Sequence, residues 1–343
     1  MLSSKSKIFI TGATGFVGSY ILRKLIADGQ ENIYCLKRKQ SDFKLAADVA
    51  AKVHWVDGDI LDIPSLEKHL CGMDIVIHAA AIVTFHTKNK KMLIETAMTG
   101  TANLVNVAMH CEVKKFIHIS SIAAIGRRKK KEDIDEKLMF SHSEFDTTYG
   151  LSKFLAEQEV WRAHAEGLFT TILSPSMVLG AGHWENSSVQ IFKKVYQGIK
   201  YFPEGVNGWV DVRDVAEAVS LAIKGDFNGE RFIISAENIH YQNMFAMIAE
   251  QLKVKPPILK FNYLWSGIIW RLEAIRSLLL GSKPIITKET IVSTAVESYY
   301  DNKKSIRLLG INYRDMQITI KDSCDAFINS WPKGEKGAIF GNL

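Results

Sequence analysis

The chain has 343 residues, 47% of them hydrophobic, which is enough for one large α/β core or two modest ones. A net charge of +6 suits an anionic ligand but falls short of a nucleic-acid footprint, and no nucleic-acid motif is present. Ten histidines without an HExxH pattern or a Cys/His cluster define no metal site, and no apolar run is long enough to span a bilayer.

Residues 7–10 read as a short apolar strand, too near the start of the chain to leave room for a signal peptide. The loop Thr11-Gly-Ala-Thr-Gly-Phe-Val-Gly18 follows, and residues 16–27 read as a helix with Val17, Ile21, Leu22 and Leu25 on one side. Three glycines between a strand and a helix predict a dinucleotide site. Gly12 allows the tight turn, Gly15 lets the backbone approach a pyrophosphate, and Gly18 lets helix and strand pack closely. Thr14, Phe16 and Val17 share this turn and are candidate cofactor contacts.

Strand-like runs recur at 33–36, 53–56, 75–78, 116–120 and 170–173, with helical stretches between most of them. The alternation predicts an α/β fold with a doubly wound parallel sheet, a Rossmann fold. Residues 88–111 and 149–166 are the long helices, and the polar stretch 127–146 is an excursion over the C-terminal edge of the sheet, where ligands bind. Its basic run Arg127-Arg-Lys-Lys-Lys131 is either a solvated loop or an attractor for an anionic substrate tail. After Pro175 the pattern loosens, although 209–223 and 231–234 read as a helix and a strand returning to the sheet. The expected division is a dinucleotide-binding domain over 1–175 with a returning segment at about 207–235. A smaller, interleaved substrate-binding lobe then takes 176–206 and 236–343, with Pro256-Pro257 as the clearest linker signal.

Within that lobe, Leu264, Ile268, Leu272, Ile275 and Leu279 form a stripe at helical spacing. It reads as a helix packed on its own domain, the wall of an apolar pocket, or a face resting on a membrane surface. His183-Trp184 reads as a structural pair or as part of the pocket lining. Four cysteines without paired spacing, with Cys35 in a strand, are expected to be reduced core residues, which favours the cytoplasm.

Tyr149-Gly-Leu-Ser-Lys153 opens a helix, and the four-residue spacing puts the phenol and the ammonium on one face. A neighbouring cation lowers the pKa of a tyrosine and fits it for proton transfer. The same spacing occurs at Tyr20/Lys24, Tyr196/Lys200, Tyr299/Lys303 and Tyr300/Lys304, so position in the fold must choose among the pairs. Tyr149 follows the strand that ends in Ser120-Ser121, at the edge where a nicotinamide belongs, and Ser121 there can orient a carbonyl.

With these pieces together the chain resembles the extended short-chain dehydrogenase/reductase family, also called the NAD-dependent epimerase/dehydratase family. The resemblance rests on the glycine loop at 11–18, Asp57-Gly-Asp59, His78-Ala-Ala-Ala81, the serines at 120 and 121, the YGLSK motif at 149–153 and VDVRDVAEA at 210–218. It implies that Asp59, with Ile60 beside it, contacts adenine and that Ala79, Ala80 and Ala81 border the cofactor. It also implies a catalytic group of Ser121, Tyr149 and Lys153, the last two touching the cofactor as well. Many members carry an Asn on the helix before the fifth strand where this chain has Ala97, so an Asn-assisted proton relay is not expected.

NAD-preferring members usually end the second strand with a carboxylate. Here Lys37-Arg38-Lys39 stands there, and Arg38 supported by Lys37 or Lys39 suits a 2′-phosphate, so NADP(H) is preferred and NAD(H) possible. Residues 122–126 lack the Asp-Glu pair of sugar-nucleotide dehydratases, and 173–180 carry Pro175-Ser176 as in dihydroflavonol reductases and 3β-hydroxysteroid dehydrogenases, where this step borders the nicotinamide. The resemblance implies reduction of a ketone or aldehyde of a small-molecule substrate by hydride transfer, with Tyr149 as proton donor. Alternatives are a nucleotide-sugar epimerase with tightly bound NAD and a non-catalytic NADPH sensor. A homodimer through the two long helices is expected.

Overall fold

A computed structural model of the protein describes residues 5–81, 90–126, 133–140, 146–260 and 294–340. The apolar stripe at 261–281 and the basic run at 127–131 lie outside these residues. Strand β1 (Ile8–Thr11) is buried along its whole length and sends Ile8 and Ile10 to one face and Phe9 to the other. Both faces of the strand are therefore covered, as a central parallel strand requires. Helix α1 (Phe16–Ala27) carries the chain to β2 (Ile33–Lys37), then come β3 (His54–Asp57), α2 (Ile63–Leu70) and β4 (Ile75–His78). Helix α3 (Lys90–His110), β5 (Lys115–Ile119), the short β6 (Asp133–Ile134), α4 (Thr148–Ala165) and β7 (Thr170–Pro175) follow.

The order across the main sheet is β11-β7-β5-β4-β1-β2-β3, seven strands paired in parallel, with β11 (Glu230–Ile234) at one edge. The chain winds outward in one direction from β1 and then in the other from β4, so the crevice between those two strands is the topological switch point. One face packs Phe9, Val76, Phe116 and Ile172 against Leu104 and Val105 of α3 and Val160 of α4. The other packs Ile10, Ile77 and Ile117 against Ile21 and Leu22 of α1 and Val215 and Val219 of α6 (Val212–Lys224).

Residues 209–211, expected within a returning helix, belong instead to β10 (Val206–Asp211), which follows the short β9 (Tyr201–Phe202) and forms a second sheet with β8 (Met177–Leu179) and β12 (Glu237–His240). The helix starts only at Val212, where Asp211 caps it by accepting the Arg213 N–H at 2.7 Å, while Trp209 stays in the strand, buried, with its indole donating to the Ile239 carbonyl at 3.1 Å. Helices α5 (Gln190–Tyr196), α7 (Tyr241–Gln251) and α8 (Met316–Ser330) pack around this sheet. Trp184 lies wholly inside that packing, edge-on to Phe192 and Phe327, with its Nε1 donating to Ser330 at 2.9 Å, so it is a core residue rather than a pocket lining.

The expectation that all four cysteines are reduced core residues is corrected for two of them. Cys35 and Cys324 are free and buried, but Cys71 and Cys111 form a disulfide, and Cys71 is exposed. Each follows the last turn of its helix, α2 or α3, and packing of those helices brings the Cα atoms to 4.7 Å across 40 residues of sequence. No described helix is long and apolar enough to cross a membrane. Thiol titration of the protein unfolded without reductant is expected to find two of its four cysteines free, and all four after reduction. Four free thiols before reduction would refute the bond.

Candidate active site

The β1–α1 turn approaches β4 through its backbone. Gly12 has φ +77°, and a Cβ there would lie 2.6 Å from the Ala80 nitrogen and 2.7 Å from the Ala79 oxygen, so a side chain is excluded both by conformation and by space. A Cβ on Gly18 would collide with the Gly12 carbonyl. Gly15 is the N-cap of α1. It offers no capping side chain, and the first turn carries no acidic residue. The N–H groups of this turn are thus left for an external anion, assisted by the helix dipole, and the three glycines keep the positions their spacing predicted. A dinucleotide pyrophosphate fits this cradle. Phe16 and Val17 are half-buried and packed on the core, the Phe16 ring 5.9 Å from that of Tyr20.

Beneath the turn lies a closed hydrogen-bond network that sequence reading did not find. Thr11 and His78 are register partners on β1 and β4. The Thr101 hydroxyl of α3 donates to the Ala97 carbonyl at 2.7 Å, so toward His78 Nε2, at 3.1 Å, it accepts. That places the proton on Nε2 and makes Nδ1 the acceptor of the Thr11 hydroxyl at 2.7 Å, which in turn accepts the Ala80 N–H at 3.2 Å. Burial, aided by the charge of Lys153, pulls His78 down to about 3, so this neutral tautomer persists at physiological pH. The network ties the start of the glycine turn to the 79–81 stretch.

On the adenosine side the predicted residues divide. Lys37 forms an ion pair with Asp57 and lies over the Phe43 ring, whereas Arg38 is exposed and its guanidinium has no partner among the described residues. Its backbone N–H donates to Ser41 Oγ at 3.0 Å, which shapes the turn after β2. Asp59 accepts the Leu61 N–H at 3.0 Å, and Ile60 packs where Gly100 of α3 leaves room for it.

At the far edge of β5, Ser121 caps a single helical turn over 122–124, its hydroxyl accepting the Ala123 N–H at 3.2 Å. Thr147 caps α4 by accepting the Gly150 N–H at 3.0 Å, and a Cβ on Gly150 would lie 2.7 Å from the Ala123 carbonyl. Only glycine lets the start of α4 settle on that turn. The contact brings the Tyr149 phenol close enough to the Ser121 hydroxyl for the two to influence each other. Burial raises the pKa of Tyr149 and the nearby Ser121 hydroxyl opposes it, so the phenol is protonated here rather than acidified by Lys153, as the spacing had suggested. Lys153 is itself buried and donates to the Ile119 carbonyl at 2.7 Å. Ser176, beyond β7, has a buried hydroxyl without a partner among the described residues, while Pro175 closes the strand.

The rival Tyr20/Lys24 pair is structural. The Tyr20 hydroxyl donates to Ala181 and accepts from Phe340, and Lys24 pairs with Asp28 and Glu217. Among the described residues no cluster of His, Cys, Asp or Glu is arranged to hold a metal.

A parallel sheet with an open helix N-terminus at its switch point, and a Ser/Tyr/Lys group one strand away, defines a dinucleotide-dependent enzyme of the Rossmann class. Residues 8–235 match the model of the NAD dependent epimerase/dehydratase family, and the chain belongs to that family. A dihydroflavonol 4-reductase candidate of Synechocystis sp. is 27% identical over 332 residues, 94% of each chain. Cinnamoyl-CoA reductase 1 of Petunia hybrida is 25% identical over 257 residues, 71% of this chain and 76% of its own. The crystal structure of gox2253 superposes with a TM-score of 0.82 at 29% identity, covering 95% of this chain and 98% of that one. A dTDP-glucose 4,6-dehydratase, DesIV from Streptomyces venezuelae, solved with NAD bound, shares the fold at TM-score 0.78 and 19% identity, covering 95% and 98%. The protein is an NAD(P)-dependent oxidoreductase that uses a nicotinamide dinucleotide.

Thr11→Val is expected to leave His78 Nδ1 and the Ala80 N–H unpaired and to destabilise the fold by about 1–3 kcal/mol. Urea unfolding measures the loss, and an unchanged midpoint would remove the network from the account of the site.

Proposed function

We propose that the protein is an NADPH-dependent reductase that converts a ketone or aldehyde of a small, apolar or aromatic substrate into the alcohol. The observation that carries this reading is the gathering of Ser121, on the turn after β5, with protonated Tyr149 and buried Lys153 on the helix that packs against that turn. Bound NADPH supplies the hydride at its nicotinamide C4. Tyr149 donates its proton to the carbonyl oxygen as negative charge develops there, Ser121 hydrogen-bonds the same oxygen, and Lys153 holds the ribose. Gly12, Thr14, Gly15 and Gly18 hold the pyrophosphate with the first turn of α1, Asp59 and Ile60 border adenine, and Ala79, Ala80, Ala81, Pro175 and Ser176 border the nicotinamide half.

Relatives named for reduction of a dihydroflavonol and of cinnamoyl-CoA support a carbonyl substrate, and the exposed Arg38, whose guanidinium has no partner among the described residues, supports a 2′-phosphate. Residues 176–206 and 236–343 are the proposed substrate lobe. The long helices α3 and α4 are the proposed seam of a homodimer. Cytoplasmic residence belongs to the same reading, and the Cys71–Cys111 bond counts against it. The competing epimerase reading is supported by neighbours such as a UDP-glucose 4-epimerase from Thermotoga maritima, which share the fold. Tightly retained NAD in the purified protein would favour that reading.

Loss of NADPH absorbance over a panel of carbonyl compounds tests the activity directly. Tyr149→Phe is expected to cut turnover by about 10²–10⁴ while the Kd for NADPH changes little; undiminished turnover would sink the mechanism. Arg38→Ala is expected to weaken NADPH by about 10–100-fold and NADH hardly at all, measured by fluorescence titration. Equal losses for the two cofactors would refute the 2′-phosphate assignment.

A further inference from the structure

Behind Lys153 lies a buried ion pair. Glu157, one turn further along α4, is wholly buried, and its Oε2 sits 3.1 Å from Nη1 of Arg231 on β11, itself only 8% exposed. The hydroxyls of Ser120 and Ser174 also face the carboxylate, the latter at 3.5 Å. Arg231 directs its other nitrogen to the Glu136 and Leu138 carbonyls, and Glu136 returns a carboxylate oxygen to the Ile233 N–H at 2.9 Å. The pair thus joins α4 and β11 to the stretch that lies between Ser121 and Tyr149 in sequence.

Burying two charges costs more than their attraction usually returns, so such a pair is weak evidence for stability and calls for another reason. The surroundings of Lys153 supply one. On α4 it stands one turn from Tyr149 on one side and one turn from Glu157 on the other, and Glu157, His78 of β4 and His118 of β5 interact with its charge, while Arg231 pairs with Glu157. Both imidazoles are pushed down by burial and by Lys153 itself, so they are neutral and offer no counter-charge. The phenol is protonated. Among the described residues that leaves Glu157, one helical turn beyond Lys153, as the carboxylate that acts on the ammonium; burial pushes Glu157 up, and the Arg231 guanidinium 3.1 Å away opposes that.

We propose that Glu157 is a positioning residue that keeps Lys153 charged inside the protein, and that Arg231 holds Glu157 ionised for that task. This rests on the proposed role of Lys153. Burial pulls Lys153 down to about 8, and the charge of Glu157 acts in the opposite direction. The ammonium form is therefore dominant near pH 7 but has little margin. Without the carboxylate the charged form is disfavoured further, and the lysine begins to lose its proton within the physiological range.

The experiment is ¹³C NMR of the protein labelled at lysine Cε, with the Lys153 resonance assigned by its loss in Lys153→Met. Glu157→Gln is expected to lower the pKa of Lys153 by about one unit, and Glu157→Asp, which keeps the charge, to restore most of it. The high-pH limb of kcat is expected to move to lower pH with the same sign and size. If Glu157→Gln does not fold because Arg231 is left unpaired, Glu157→Gln/Arg231→Met removes that cation and is expected to show the same downward shift. An unchanged Lys153 pKa in the folded variant overturns the proposal. Because the NMR reading needs no turnover, a Lys153→Met protein with undiminished turnover would instead overturn the role given to Lys153.

Discussion

The carbonyl of Ala123 meets the first turn of α4 where Gly150 has no side chain, and the chemistry of the site depends on that contact. With any other residue at 150, the helix would have to lift from the turn that Ser121 caps. Ser121 and Tyr149 lie 28 positions apart, on either side of a polar excursion, yet they come together because two backbones approach without a Cβ between them. Thr147 reinforces the same place from the other side, since the N–H it caps belongs to Gly150. A capping residue and a missing side chain together set the angle at which α4 leaves the sheet edge.

A second backbone approach organises the opposite half of the site. Gly12 touches the chain just after β4, and Gly18 touches Gly12. The Thr11–His78–Thr101 network under this contact is fully satisfied, each hydroxyl giving one proton and receiving another. Its neutral histidine matters, because a charged imidazole here would add to the repulsion on Lys153. The proposed cofactor cradle and the proposed catalytic group therefore meet at β4 and β5, where His78 and His118 stand near the lysine as uncharged rings.

The interior near the site is unusually polar for a sheet so well covered. Lys153, Glu157 and Arg231 are buried in one row from α4 to β11. Unlike the apolar faces on either side of β1, this row contributes little to stability and much to the charge state of one side chain. Tyr149 shows the same logic in reverse. Its burial keeps the phenol protonated, the form a proton donor requires.

Much of the fold was legible in local pattern. Strands buried on both faces are runs of apolar residues, and a strand–glycine–helix turn has few other uses, so β1, β4, β7, α1 and the α4 motif fall close to where periodicity and capping put them. Choosing Tyr149 over Tyr20 also needed only chain order, because both sites follow from which strand ends where. What local pattern does not carry is pairing across distance. The Cys71–Cys111 bond, the histidine tautomer and the Glu157–Arg231 pair join residues 40, 67 and 74 positions apart, and each exists only because strands stand in register and helices pack across them. The direction of the Tyr149 shift was likewise beyond reach of spacing, since a four-residue interval places a cation beside a phenol but says nothing of how deeply both are buried. Sequence by itself determined the order of most strands and helices and the residue types proposed for the site. Tertiary structure decided their protonation, because burial and distant partners set the free energy of each charge.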